Sequence, residues 1–378
     1  MSTGSRSVRV GVVGCGNVSS RYLANLAGHP EVTVVACADV DVSRARSLAA
    51  AHAVPEFGSV DDVLASTGID LVLNLTPPRA HAELTMRALE HDKHVYTEKP
   101  LATTLADGHR IVQLARRHSL QVGTAPDTFL GAGPQTCARL IASGAIGTPI
   151  SVAASMMNAG PERFHPEPEF LYKEGAGPLF DIGPYYVTVL TALLGSIVRV
   201  ASVGTSPRSE RLVLTGPRTG TRFPVETLTH VNTLLEFANG VLGTMVTSFD
   251  VVATRTPQVE VHGTEGTIVA PHANSWGGPV LVKSSRSTEF TEVLGANGAG
   301  DGFMGMGLVE MAQAILAGRP PLASATRGLH VLEVLTAISS SALAGGQFTE
   351  IRSTLADYDD VAREAPPASR AEGHEGDC

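Results

Sequence analysis

The 378 residues carry 28 Lys and Arg against 37 Asp and Glu, a formal net charge of −9, and 43% are hydrophobic. That length fits about two domains with apolar content enough for substantial cores. The acidic balance offers no basic face to a phosphate backbone, so nucleic acid is excluded as the expected partner. No apolar stretch reaches the roughly 18 residues of a membrane span. The polar start, Met1 to Ser7, has no signal-peptide core. Cys15, Cys37, Cys137 and Cys378 form no CxxC pair and no zinc spacing, which points to a cytoplasmic protein with reduced thiols.

The first third alternates short β-branched runs with helical patterns. Val8–Val13 is a strand, followed by a glycine loop and a helix to about Ala27. Thr33–Ala38 is a second strand ending on Asp39, and Ser43 caps a helix reaching about Ala53. Val60–Ser66 is a short helix. Asp70–Leu75 is a strand buried on both faces, as its continuous apolar run requires. Ala80–Glu90 is a helix, His94–Tyr96 a strand, Leu105–His118 a helix and Gln121–Gly123 a last strand. Such alternation means βαβ units and a doubly wound parallel sheet.

After Thr124 the rhythm changes. A helix at Gly133–Ser143 leads to a strand at Ile150–Ser155, a Pro-rich loop and a helix over Asp181–Leu194. Hairpins follow. Thr229–Phe237 and Val241–Phe249 flank Asn239-Gly240, the strongest short hairpin signal. Val259–His262 and Thr267–Val269 flank a second turn. Helices at Gly305–Ala317 and Ala325–Ala344 close the chain. The expected organisation is an α/β Rossmann domain at 1–124 and an α+β domain at 125–362 with a large, open, mostly antiparallel sheet. Residues 363–378 have no periodicity and are expected to form a disordered tail.

Gly14-Cys15-Gly16-Asn17-Val18-Ser19 follows a strand and precedes a helix, the context that gives a dinucleotide fingerprint its meaning. Gly14 permits the tight turn, and Gly16 lets the backbone approach a pyrophosphate resting on the helix N-terminus. Ser19 replaces the third glycine with another small residue. Asp39 stands where an acid meets ribose hydroxyls, or it is a turn carboxylate. An acid there favours NAD. Arg44 either meets the extra phosphate of NADP or is a solvated helix-surface arginine.

Thr76-Pro77-Pro78-x-x-His81 and Glu98-Lys99-Pro100 both stand at carboxyl ends of parallel strands, where open α/β sheets build their sites. With the glycine loop and Gly175-Ala176-Gly177-Pro178-Leu179-Phe180-Asp181-Ile182-Gly183, they resemble the glucose–fructose oxidoreductase / inositol dehydrogenase / rhizopine-catabolism (Gfo/Idh/MocA) family over nearly the whole chain. The resemblance implies NAD(P)-dependent transfer of hydride between nicotinamide and a secondary alcohol or ketone of a sugar, inositol, polyol or glycoside. It places Glu98 near the nicotinamide and Thr76, Pro77 and His81 along the cofactor. Lys99 becomes the first catalytic candidate, since an ammonium can hold the reacting oxygen and stabilise an alkoxide. The bland alternative is a strand-end lysine in water.

In the family's second motif an Asp is followed four residues later by a His. Here the pair is Asp181 and Tyr185. Asp181 is catalytic, or the N-cap of its own helix, or both. Tyr185 either relays a proton, with its pKa lowered by Lys99, or simply packs; Tyr186 is core. Asp127 suits a sugar hydroxyl or a turn, Phe129 lies beside it facing the substrate, and His165 reaches the substrate or sits on the surface. His91 and His94 lack a third ligand, so no metal is expected. The open sheet needs cover, which implies a homo-oligomer, a dimer or tetramer, packed through it. Two other functions share these motifs: a ligand sensor without turnover, and a sugar lyase or epimerase using transient oxidation by bound NAD.

Overall fold

The computed structural model describes residues 7–293 and 302–355. The expected tail at 363–378 and Cys378 lie outside the described residues.

Six parallel strands form the first sheet: Val8–Val13, Val32–Ala38, Glu56–Gly58, Leu71–Asn74, His94–Thr97 and Val122–Thr124, in spatial order third, second, first, fourth, fifth, sixth. This is a doubly wound order that reverses beside the first strand, where the glycine loop leaves the sheet. Leu71, Val72, Leu73, Val10 and Val12 are fully buried, as strands covered on both faces demand. The edge strand Glu56–Gly58 is too short to announce itself by periodicity. The second helix spans Val42–Ala51 and is capped by Asp41, whose Oδ1 accepts from Ser43 N at 3.0 Å; Ser43 is therefore not the cap. The fourth helix begins at Pro78, where proline's missing N–H removes no intrahelical bond.

The second sheet has nine strands in the order Thr291–Val293, Val280–Ser284, Gly266–Ala270, Val259–Gly263, Pro149–Met157, Leu242–Ser248, His230–Phe237, Ile197–Thr205 and Thr349–Glu350. Only Pro149–Met157 and Leu242–Ser248 run parallel. The Asn239-Gly240 turn forms as its chemistry requires: Gly240 has φ +85° and Asn239 Oδ1 accepts from Val241 N at 3.2 Å. One face packs on the helices. The other exposes Val203, Leu234 and Leu242, each more than half accessible. The expected helix over 181–194 is two helices, Gly177–Asp181 and Gly183–Leu194, separated at Ile182.

The two sheets are tied by the end of the chain. Thr124 N donates to Ala323 O at 2.8 Å, and Gly123 bridges Ser324. Helix Ala325–Leu343 then packs on helix Leu105–His118, which covers the first sheet, and on strand Ile197–Thr205 of the second. Among the described residues no helix is long and apolar enough to cross a membrane.

Candidate active site

The glycine loop has two different glycines. Gly14 takes φ +98°, and a Cβ there would stand 2.7 Å from the Leu75 carbonyl group, so any other residue collides with the neighbouring strand end. A Cβ on Gly16 would meet nothing within 4 Å, which leaves the approach above the loop open. Ser19 is buried and its hydroxyl donates to Gly16 O at 2.7 Å, tying the first helical residue to the loop. Val18 is the N-cap and offers no side-chain cap; Ser19 N donates to Gly16 O at 3.2 Å, which leaves the next amides, of Ser20 and Arg21, to face an anion. Asp39 is 8% exposed; its Oδ2 accepts from Cys15 N at 2.7 Å and its Oδ1 from Asp41 N at 2.9 Å. The turn role is thus present, and the same carboxylate braces the glycine loop. Arg44 stays exposed, 3.6 Å from Asp41, and with Gly16, Asn17, Ser20, Ser43 and Ser47 lines a hollow of ≈ 380 Å³ beside the loop. These residues fit a dinucleotide: an open glycine, the Ser20 and Arg21 amides at a helix start and a hollow edged by hydroxyls and a guanidinium.

The next strand end is organised by a residue that sequence reasoning passed over. Asn74, fully buried, accepts from Thr76 N at 3.2 Å and Thr76 Oγ1 at 2.6 Å, and donates to His81 O at 3.2 Å. His81 is 1% exposed, with its ring nitrogens 2.7 Å from Thr76 O and 2.7 Å from Pro100 O. Buried between two loops, His81 does not lie along a cofactor surface; it clamps the Thr76-Pro77 turn to the Lys99-Pro100 turn.

Glu98 accepts from Tyr22 Oη at 2.7 Å and from Lys99 N at 3.0 Å, linking the glycine-loop helix to the fifth strand end. Lys99 Nζ donates to Asp181 O at 2.8 Å, and the Asp181 Oδ1 lies 3.4 Å away. Both side chains remain about a quarter accessible. Asp181 ends the helix Gly177–Asp181 and caps nothing, so the N-cap alternative is overturned by the break at Ile182. The Lys99 ammonium stands 5.6 Å from the centroid of the Tyr185 ring. Burial, then the carboxylates of Glu98, Asp181 and Asp127, push the Tyr185 phenol well above its ordinary range. The expected lowering by Lys99 does not occur. Lys99 and Asp181 open onto a cleft of ≈ 390 Å³ between the two sheets' loops.

Two expected substrate residues are elsewhere. Asp127 is 3% exposed and saturated from within the fold: Trp276 Nε1 donates at 3.0 Å, Gly307 N at 2.9 Å and Gly305 N at 3.1 Å. Burial nevertheless raises its carboxyl to about 6. Phe129 is buried under the Arg327 guanidinium, 4.9 Å from its centroid. Neither faces the cleft, because each is consumed by tertiary partners. His165 stands at the rim, edge-on to Phe170 at 5.3 Å. Arg327, 4% exposed and 3.2 Å from Thr191 Oγ1, lines the cleft wall; a lone arginine in an apolar helical pattern carried no signal of that. His94 accepts from Gln121 N at 2.9 Å.

A glycine loop on a doubly wound sheet, beside a pair in which Lys99 comes from a strand end of that sheet and Asp181 from a helix end of the second unit, defines a two-domain dinucleotide-binding protein. Residues 8–125 match the family described as an oxidoreductase family with an NAD-binding Rossmann fold, and residues 135–269 match the GFO/IDH/MocA C-terminal domain. The chain belongs to the GFO/IDH/MocA oxidoreductase family. Similar curated proteins include dTDP-3,4-didehydro-2,6-dideoxy-alpha-D-glucose 3-reductase of Streptomyces violaceoruber, 33% identical over 52% of this chain and 57% of that protein. Inositol 2-dehydrogenase 3 of Saccharopolyspora erythraea is 35% identical over 42% of this chain and 48% of its own length. The chain thus spans about half the length of these curated relatives. Among solved structures, levoglucosan dehydrogenase in complex with NADH and levoglucosan shares the fold, with a TM-score of 0.77 at 22% identity over 92% of this chain and 99% of that one.

Proposed function

We propose that the protein is an NAD-dependent oxidoreductase acting on a secondary alcohol or ketone of a sugar, inositol, polyol or glycoside. The observation that carries this reading is the Lys99 Nζ–Asp181 pair, held at the cleft by a strand end of one domain and a helix end of the other. Gly14, Gly16, Asn17, Val18 and Asp39 would hold the dinucleotide, with Thr76, Pro77 and Glu98 at the strand ends beyond it; bound there, NAD supplies the hydride acceptor or donor. Lys99 keeps N–H donors beyond the one given to Asp181 O and hydrogen-bonds the reacting oxygen. Asp181 Oδ1 takes the carbinol proton in the oxidation direction and returns it in reduction.

The division into a cofactor half at 1–124 and a substrate half at 125–362 belongs to this reading. So does a second copy covering Val203, Leu234 and Leu242, since an exposed apolar sheet face is rarely left bare. The free thiols of Cys15, Cys37 and Cys137 suit a cytoplasmic setting. The braced carboxylate of Asp39 favours NAD, while Arg44 in its hydroxyl-lined hollow is what NADP would use.

The test is a panel of sugars, inositols and glycosides with NAD and with NADP, read by the absorbance of reduced cofactor. At least one substrate is expected to turn over, with NAD ahead of NADP. Tyr185 in the place of the motif's histidine favours one rival, a sensor that binds ligand without turnover. Ligand-dependent stabilisation with no reduced cofactor from any substrate would select it.

A further inference from the structure

The cleft does not end at Lys99 and Asp181. It continues along helix Ala325–Leu343, whose Val331 and Leu335 form its floor and whose Ser339 and Ser340 close its far end. Gly328, Val331, Leu335 and Ser339 recur at three- and four-residue steps, so one helix face lines the groove along its length. The opposite wall carries Phe180 and Phe170, and Phe170 is 57% exposed at the rim. The whole cleft, ≈ 390 Å³, lies within the range of about 300–1,000 Å³ typical of drug-sized ligands.

The chemistry of the two ends differs. Near Lys99 and Asp181 charged groups converge on one point, as a reacting hydroxyl requires. Along the helix the surface is mainly aromatic rings and branched aliphatics; the Thr336 hydroxyl donates to Leu332 O, Thr188 and Arg327 are buried in the wall, and Ser339 and Ser340 stand at the far end. A second sugar ring laid there would bury hydroxyls against Val331 and Leu335 and lose their bonds to water, a cost of about 1–3 kcal/mol for each unsatisfied group. An apolar group meets no such penalty and gains the burial of Phe170.

We infer that the substrate is a glycoside with an apolar aglycone: its carbinol meets Lys99 and Asp181, and its aglycone lies in the groove between Phe170 and helix Ala325–Leu343. This deepens the proposed function and rests on it for the placement of the carbinol.

The experiment uses the full chain with NAD present. Matched methyl and phenyl β-glucosides, β-galactosides and β-mannosides, together with the disaccharide cellobiose, are titrated calorimetrically and assayed for turnover. In at least one pair the phenyl glycoside is expected to bind about tenfold or more tightly than the methyl glycoside. Phe170→Ser and Ser339→Glu should each shrink that ratio, with unfolding curves verifying that the variants fold. Equal affinity within every pair overturns the inference, as does a ratio unmoved by both variants or a gain for cellobiose matching that for phenyl. Turnover with no preference for phenyl leaves the oxidoreductase reading standing and removes the groove assignment. Groove-dependent binding of phenyl glycosides with no turnover of any substrate does the reverse.

Discussion

Lys99 donates from Nζ to the main-chain carbonyl of Asp181 at 2.8 Å, while the carboxylate of the same residue stands 3.4 Å off. The lysine is therefore aimed by a backbone group that no side-chain substitution at 181 removes. Asp181→Asn should leave Lys99 in place and cost proton transfer, lowering kcat by about 10²-fold or more with little change in KM. Lys99→Ala removes the group that holds the reacting oxygen and should lower kcat/KM at least as far. Steady-state kinetics on a confirmed substrate decide this, and full turnover by Lys99→Ala would remove the catalytic assignment.

Tyr185 replaces a histidine, and its surroundings oppose ionisation. Burial comes first, and Glu98, Asp181 and Asp127 add to it. A phenol held that high is a poor relay at neutral pH. Tyr185→Phe should thus keep kcat within about tenfold of the parent, far above the loss on removing a general acid. Tyr185→His should bring a new inflection near neutrality into the pH–rate profile. A loss of several hundredfold in Tyr185→Phe, with affinity intact, would make the phenol a proton carrier after all.

The glycine loop separates folding from binding. Gly14→Ala forces a Cβ to within 2.7 Å of the Leu75 carbonyl at φ +98°, so the chain should lose about 1–3 kcal/mol of stability together with cofactor binding. Gly16→Ala meets nothing within 4 Å in the protein, so its unfolding curve should match the parent. Its methyl instead stands where the pyrophosphate approaches, and NAD affinity should fall by about tenfold or more. Equal NAD affinity in Gly16→Ala and parent would displace the cofactor from this loop.

The same contrast explains how far sequence alone reaches. Val8–Val13 and Leu71–Asn74 are legible because strands buried on both faces need continuous apolar runs, and that need is local. The loop glycines and Glu98-Lys99-Pro100 are legible because each motif sits at the end of such a strand. Asp127 is not, because its meaning depends on Trp276, Gly305 and Gly307, residues remote in sequence that arrive only when the chain folds. His81 fails similarly: its helix is predictable, but the Pro100 carbonyl it meets comes from a different loop. The split at Ile182 escapes because Pro184 suits the start of a helix whether or not another helix precedes it.

Asp127 also makes a measurable prediction about pH. Burial, reinforced by Glu98, raises its carboxyl from 3.8 to about 6, although the N–H groups of Gly307, Gly305 and Trp276 pull the other way. Between pH values of about 4 and about 6 the folded chain holds a proton that the unfolded chain has released. This group's stabilising contribution is therefore fully present below about 4 and lost as pH rises through about 6. Asp127→Asn does not titrate, and it turns an amide donor toward at least one of the three N–H groups, so it should be less stable throughout. The stability gap between parent and variant should be widest near pH 4, narrow toward pH 6 and then stay flat, by denaturant unfolding at a series of about five pH values. A gap that widens as pH rises would mean that the three donors outweigh burial, placing the carboxyl below 3.8 rather than above it.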